Sequence, residues 1–220
     1  MSELTLETSI ATTLLTARER CARQGLLGSS EQAGLSARLP GKSDFLFLGA
    51  AEATPRRLPV AAVSPTLHAT IYQLRPDVGA VLSGGGVFAS MLHDFGATMP
   101  VGFDEQARHL GRMPGAASPV TVVTAVTAAQ LGRRLADGAN SLLVGDLPVC
   151  LGMTCQRLVL NAELLEKCAK AYVLAAATGQ AVGALPWWVC RIAMRRLRKD
   201  QRRAAERFSQ GLLPEETRGY

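Results

Sequence analysis

Apolar residues recur at helical spacing in several parts of the chain. Near the start they lie three or four positions apart, at Ile10, Leu14, Ala17 and Cys21. This spacing gathers them on one face of a helix, so a helix is predicted over residues 6–24. Periodic or polar segments bounded by glycine or proline predict further helices over 87–93, 125–137, 162–178 and 186–208.

Short apolar runs between these helices indicate strands. They cover residues 44–49, 58–63, 78–82, 96–101, 141–144 and 148–151, and LSARLP before Pro40 is a further strand candidate. Residues 103–112 are polar and are expected to be exposed. The pattern predicts one α/β domain over residues 1–185, followed by a basic C-terminal helix and tail over residues 186–220.

One helix–turn–strand unit ends in glycine. Ser64 as N-cap and Pro65 in the first turn predict a helix start. The turn Arg75-Pro76-Asp77 then leads into the strand, which ends at Ser83, Gly84, Gly85 and Gly86. Amides between a strand and a helix can converge on an anion, although this spacing matches neither a Walker loop nor a dinucleotide fingerprint. The alternative is that glycine only fills space there.

The length and composition of the chain fit a single domain with a well-buried core. The chain has 220 residues, 48% of them hydrophobic, and no run of about 18 apolar residues that would predict a membrane span. The first ten residues are acidic where a signal peptide is basic, so a cytoplasmic protein is expected. Five cysteines, with no Cys-X-X-Cys pair, are typical of buried reduced thiols.

The net charge of +6 is confined to one segment. From Arg191 to Arg207 there are eight basic and two acidic residues, and the remaining chain has sixteen of each. This segment, with Trp187 and Trp188 before it, favours two interpretations. The first is that it binds nucleic acid, an anionic membrane or an acidic partner. The second is that it is an amphipathic helix that packs on the body of the protein or on a neighbouring subunit.

The densest polar cluster of the body contains Asp104, Glu105 and His109. On a helix Glu105 and His109 share a face, and a carboxylate beside an imidazole suits proton transfer. A solvated helix face has the same composition. Asp146 lies in a predicted turn, where it either faces a ligand or caps the turn. His68, on an apolar helix, is expected to be a core histidine with a hydrogen-bond partner.

Several of these segments together resemble the class II aldolase/adducin family, over roughly residues 6–185. The matching segments are Leu35-Ser36-Ala37-Arg38, His68 with Ile71 and Tyr72, Arg75-Pro76-Asp77-Val78 with Ala80-Val81, Leu142-Leu143 with Gly152, and the helix 162–179. The resemblance implies a three-layer α/β/α fold with a central mixed or antiparallel sheet flanked by helices. It also implies a homotetramer with pockets between subunits near Ser83 and Asp146.

The positions that carry the family's chemistry differ in this chain. The resemblance places the three zinc-ligand histidines at Ser83, Gly85 and Asp146, and the catalytic glutamate at Ser64. The family's anion-binding loop corresponds to Ala33-Gly34 and Ser36. Serine and glycine offer no imidazole, and one aspartate does not hold zinc alone, so neither a metal nor another cofactor is expected.

Two functions follow as hypotheses. The first is a non-catalytic structural, ligand-binding or partner-binding oligomer, with a small anionic ligand as one option. The second is a diverged, metal-independent lyase acting on a small oxygenated acid or sugar phosphate. It would use His109, Glu105 or Asp104 for proton transfer and the glycine-rich amides for the anion.

Overall fold

The computed structural model describes residues 3–28, 30–62, 66–117 and 125–215. Within these ranges the strands are β1 (Gly34–Arg38), β2 (Asp44–Gly49), β3 (Arg56–Pro59), β4 (Ala80–Ser83), β5 (Ser141–Val144) and β6 (Leu147–Gly152). The helices are α1 (Glu3–Arg23), α2 (Leu67–Leu74), α3 (Val87–Met91), α4 (Asp104–His109), α5 (Ala125–Leu135), α6 (Cys155–Ala176) and α7 (Trp187–Ser209).

The strands form one sheet in the order β3-β2-β1-β4-β6-β5, and every neighbouring pair is antiparallel. Alternate residues of a strand point to opposite faces, which gives the sheet two apolar surfaces. Leu35 and Leu82 share one core cluster with residues of α1, α3 and α6. Val81 and Leu142 share another with residues of α2 and α5. The predicted three-layer α/β/α architecture is confirmed, and the sheet is antiparallel.

Several local predictions need correction. Residues 96–101 do not form a strand, because Gly96 and Ala97 both have positive φ, which extended backbone does not allow. Helix α6 begins at Cys155 instead of residue 162, since the Thr154 side chain accepts a hydrogen bond from the Arg157 amide as an N-cap. Strand β3 begins at Arg56, two residues before the start of the strand predicted over residues 58–63.

Part of the segment 103–112, expected to be exposed, is buried: Gln106, Ala107 and Leu110 lie on the inner side of α4. The N-cap of α2 is Thr66, whose side chain accepts from the Ala69 amide. Ser64 and Pro65, predicted to begin this helix, lie outside the described residues. The same holds for residues 119–123, whose β-branched residues predict the start of a helix or a strand.

Helix α7 packs on the body through one face. Leu197 and Phe208 are buried on it, the Asp200 carboxylate pairs with Arg108 at 2.7 Å, and the Gln201 amide donates to the Gly138 carbonyl at 2.8 Å. All five cysteines are buried. None of the described helices has the length and apolar content needed to cross a membrane.

The Arg75-Pro76-Asp77 turn is a buried structural junction. The Arg75 guanidinium binds both carboxylate oxygens of Asp77, at 2.8 and 2.7 Å, and donates to the Ala139 carbonyl at 2.7 Å. It also donates to the Asn140 side chain at 3.0 Å. A bidentate pair in which each of the three guanidinium nitrogens donates compensates the buried charge. This junction ties the end of α2 to the start of β5.

Candidate functional site

A buried hydrogen-bonded chain joins α2 to the strands beneath it. His68 Nδ1 lies 2.7 Å from Ser36 Oγ, and His68 Nε2 lies 2.9 Å from Ser83 Oγ. Ser36 Oγ is also 2.7 Å from the Tyr72 hydroxyl, and Ser83 Oγ donates to the Gln32 carbonyl at 2.6 Å. Both ring nitrogens of His68 are therefore engaged, one more than the sequence predicted.

The donor and acceptor of each hydrogen bond in this chain follow from the Gln32 carbonyl at one end, which can only accept. Because the Ser83 hydroxyl donates to Gln32, its oxygen accepts from His68 Nε2–H, and Nδ1 accepts from Ser36. Ser36 in turn accepts from Tyr72. Burial lowers the pKa of His68 to about 3, so the ring is neutral at physiological pH. The hydroxyls of Ser36 and Ser83 are thus engaged in hydrogen bonds of the protein core.

The predicted pocket residues Gly84, Gly85 and Asp146 do come together. They line an open cavity of about 640 Å³ where β4 ends beside the β5–β6 turn. Asp146 is exposed there, and Ser83 is 1% exposed with its hydroxyl turned away toward His68. The structure therefore separates Ser83 and Ser36 from Gly84, Gly85 and Asp146. Gly86 is buried and is not among the residues that line the cavity, and Ser64 lies outside the described residues.

Helix α3 contributes the residues of this cavity that sequence reasoning missed. His93 and Asp94, which follow α3, are exposed and line the cavity with Ser90. The signal was available in the chain, because a short helix directly after a strand end returns over that end. The lining combines apolar side chains with two carboxylates and one imidazole.

The glycine run is explained by close contacts. A Cβ on Gly84, which also has φ +124°, would collide with the Leu27 carbonyl, and a Cβ on Gly86 would collide with the Glu166 carboxylate. The Glu166 oxygens accept from the amides of Phe88 and Ala89 at 2.9 Å each. The amides that begin α3 therefore bind a carboxylate of the protein itself, which α6 supplies.

The residues at the zinc-ligand positions do not fit a zinc ion. Gly85 has no side-chain donor, the Ser83 hydroxyl is engaged by His68 and Gln32, and Asp146 is a single carboxylate. No group of three or more His, Cys, Asp or Glu side chains suited to a metal occurs in the part of the chain that the structure describes.

The second candidate group lies elsewhere. Asp104, Glu105 and His109 line a cavity of about 370 Å³ between α4 and α7, and Asp146 is not among its lining residues. Glu105 pairs with Lys167 at 2.9 Å. The two candidate groups therefore face different cavities.

The surroundings of His109 disfavour a role as general base. Arg157 Nη1 lies 2.8 Å from His109 Nδ1. A guanidinium only donates, so Nδ1 accepts and the neutral ring carries its proton on Nε2. Burial, then the charges of Arg157 and Arg108, lower the pKa of His109 to about 4. The ring has no lone pair left for a substrate proton while Arg157 stays in place.

Arg38, in the segment that resembles the anion-binding loop of the family, also has structural partners. Arg38 donates to the carbonyls of Tyr72, Arg75 and Val78, at 2.7, 3.1 and 2.9 Å. Its guanidinium carbon lies 4.8 Å from the Tyr72 ring centroid. Arg38 therefore satisfies carbonyls at the C-terminal end of α2 and in the turn that follows it.

No protein-family model and no curated protein sequence matches this chain. Solved structures do. L-fuculose 1-phosphate aldolase matches with a TM-score of 0.69 and 17% identity, over 86% of this chain and 96% of its own. An aldolase II superfamily protein from Pseudomonas syringae matches with a TM-score of 0.68 and 16% identity, over 96% of both chains.

YgbL from Escherichia coli, described as an aldolase/epimerase/decarboxylase, has a TM-score of 0.67 and 16% identity, over 86% of this chain and 99% of its own. These matches agree with the layer order and the antiparallel sheet described above. At this level of identity they establish the architecture. The chain has the fold of the class II aldolases.

Proposed function

We propose that this chain is a non-catalytic protein of the class II aldolase fold that binds a small polar ligand in the cavity beside Asp146. The observation that carries the proposal is what stands at the zinc-ligand positions. Ser83 is directed into the framework, Gly85 has no donor atom, and Asp146 alone faces the cavity. The zinc-dependent chemistry of the fold has no donor set there.

The cavity itself supports binding. A volume of about 640 Å³ is within the range of small-molecule sites. Asp94 and Asp146 place two carboxylates on its wall, and the amides of Phe88 and Ala89 are already taken by Glu166. These features favour a ligand rich in hydroxyl or amino groups over the anionic ligand considered from the sequence.

A thermal-shift screen tests this proposal, with neutral polyols, amino sugars and sugar phosphates as separate groups. We expect an amino sugar or polyol to raise the unfolding temperature. Asp146→Asn should weaken that ligand about tenfold, since a charge-assisted hydrogen bond is lost. Asp137→Asn, an exposed acid lining a different groove, is the matched control and should bind as the unchanged chain does.

Two results would overturn the proposal. One is stoichiometric zinc in the purified protein together with zinc-dependent cleavage of a sugar phosphate. The other is that no compound of the first two groups shifts the transition while sugar phosphates do so in a manner that depends on Asp146.

The second candidate function is a metal-independent lyase centred on His109. Its support is the cavity that His109 shares with Asp104 and Glu105. The Arg157 contact and the Glu105–Lys167 pair weaken it. Exchange of substrate α-protons over a panel of carbonyl acids, lost in His109→Ala, would favour this candidate over the first.

A further inference from the structure

Helix α7 is held so that one face always points outward. Its inner face buries Cys190, Ala193, Leu197, Ala204 and Phe208. The Arg108–Asp200 ion pair at 2.7 Å and the Gln201–Gly138 hydrogen bond prevent the helix from rolling. The opposite face of residues 187–203 is thereby presented to the surroundings as a fixed surface about 25 Å long.

This outer face, residues 187–203, is strongly basic. Its exposed cations are Arg191, Arg195, Arg196, Arg198, Lys199, Arg202 and Arg203. Among the ion pairs formed within the described ranges, the only one to involve this set joins Arg198 to Asp137 at 3.9 Å. The chain outside Arg191–Arg207 is neutral overall, so the attraction for an anionic surface is concentrated on this helix.

The same face is apolar at its N-terminal end. Trp187, Trp188 and Ile192 are exposed by 72%, 55% and 54%. Indole rings combine an apolar body with a polar N–H and accumulate at the headgroup level of membranes. Exposed tryptophan beside arginine and lysine on one helix face is the pattern of an interfacial helix.

A groove beside this face offers room for a charged headgroup. It measures about 590 Å³ and is lined in part by Arg195, Arg198 and Arg202, which are three and four positions apart on α7. Guanidinium groups at this spacing can converge on one phosphate. A phosphate beneath the row of cations would lie at the depth of the lipid headgroups.

Other occupants fit less well. A second copy placed against this face would bring two sets of arginines together. A nucleic acid would engage the cations but would leave Ile192 without an apolar partner. We propose that the outer face of α7 binds the surface of an anionic lipid bilayer, with Trp187, Trp188 and Ile192 in the headgroup layer. This proposal is independent of the ligand in the Asp146 cavity.

Trp187 and Trp188 are the only tryptophans of the chain, so intrinsic fluorescence reports on this face alone. The full chain is titrated with vesicles of phosphatidylcholine, with and without 30% phosphatidylserine. We expect a blue shift and quenching by brominated lipids with the anionic vesicles only, and both effects should diminish as salt is raised. Ile192→Ser should reduce partitioning about tenfold.

Charge variants separate this face from the overall charge of the protein. Replacing Arg195, Arg198 and Arg202 by Gln should reduce partitioning about a hundredfold, at roughly fivefold for each cation. Replacing the exposed Arg23, Arg133 and Arg134 by Gln removes the same charge elsewhere and should change partitioning less than threefold.

Three outcomes would overturn the proposal. Equal losses in the two triple variants would indicate attraction without an oriented face. Salt-sensitive binding of duplex DNA without a fluorescence response to vesicles would assign the face to nucleic acid. A blue shift that grows with protein concentration in the absence of lipid, together with a doubled mass, would assign it to a second copy.

Discussion

At the scale of single residues, His68 shows how the fold keeps a polar network in its core. The ring is 3% exposed, yet every donor and acceptor from Tyr72 to Gln32 has a partner. A fully satisfied network avoids the cost of burying polar atoms. The network also uses two hydroxyls that the sequence assigned to a pocket. His68 is therefore a framework residue whose protonation is coupled to folding.

This coupling predicts a specific pH dependence. The pKa of His68 is lowered from 6.5 to about 3 in the folded protein, so below pH 6.5 the unfolded chain binds a proton that the folded chain does not. The stability that the neutral ring contributes is full above pH 6.5 and is lost as the pH falls toward 3. One such proton reduces the free energy of unfolding by about 1.4 kcal/mol per pH unit.

The variant His68→Gln removes this pH-dependent contribution to the free energy of unfolding. The variant should be about 1–3 kcal/mol less stable at pH 7, because its amide replaces the two hydrogen bonds imperfectly. Denaturant unfolding between pH 6 and pH 4 should show the gap to the unchanged chain narrowing with acid. His93→Gln, at an exposed histidine, is the control and should change the free energy of unfolding at pH 7 by less than about 0.5 kcal/mol. Parallel slopes for His68→Gln and the unchanged chain would refute the neutral, buried ring.

At the scale of elements, α3 depends on a residue of α6 that is distant in the sequence. This five-residue helix is too short to be stable alone, and its N-cap Gly86 has no side chain. Glu166 on α6 accepts from its first free amides instead. Because α3 carries Ser90 and leads to His93 and Asp94, this contact fixes one wall of the Asp146 cavity.

A double-mutant cycle tests this contact. Gly86→Ala alone should destabilise by about 1–2 kcal/mol, because its Cβ would push the flexible Glu166 carboxylate away from the Phe88 and Ala89 amides. Glu166→Ala alone should cost about 1–2 kcal/mol through the uncapped amides. In the double variant no carboxylate is left to displace, so its loss should be smaller than the sum of the two single losses.

Additive losses in that cycle would mean that the two residues do not interact. Gly183→Ala is the matched control, since nothing lies within 4 Å of a Cβ at that glycine and its φ is not positive. It should leave the free energy of unfolding within about 0.5 kcal/mol.

The elements also show what the sequence can and cannot predict. Helical spacing predicts α1, and short apolar runs predict β2 and β5, because these apolar side chains lie in the core. Helix α4 was misjudged as exposed because Gln106 is polar, although its side chain bonds to Pro100 and Gly102 backbone inside the protein. Partners distant in sequence, such as Glu166 for Phe88 or Arg157 for His109, leave no local pattern.

At the scale of the whole molecule, α7 is both an outer surface and part of the core. The sequence pattern predicts one domain over residues 1–185 and a separate basic helix and tail over residues 186–220. In the structure Phe208 lies within 5.4 Å of the Arg38 guanidinium, and its ring approaches Gly79 so closely that a Cβ there would collide with it. Arg38 in turn binds the end of α2. These contacts join the last helix to the helix–turn–strand unit at the centre of the fold.

The two faces of α7 should therefore respond differently to truncation of a large apolar side chain. Phe208→Ala on the inner face should reduce the free energy of unfolding by about 3 kcal/mol, since it leaves a cavity beside Gly79 and removes the ring from Arg38. Ile192→Ala, on the outer face of the same helix, should change it by less than about 0.5 kcal/mol. Urea unfolding followed by far-UV circular dichroism measures both. If α7 were an independent appendage, Phe208→Ala would leave the main transition in place, whereas a helix that completes the core shifts that single transition as a whole.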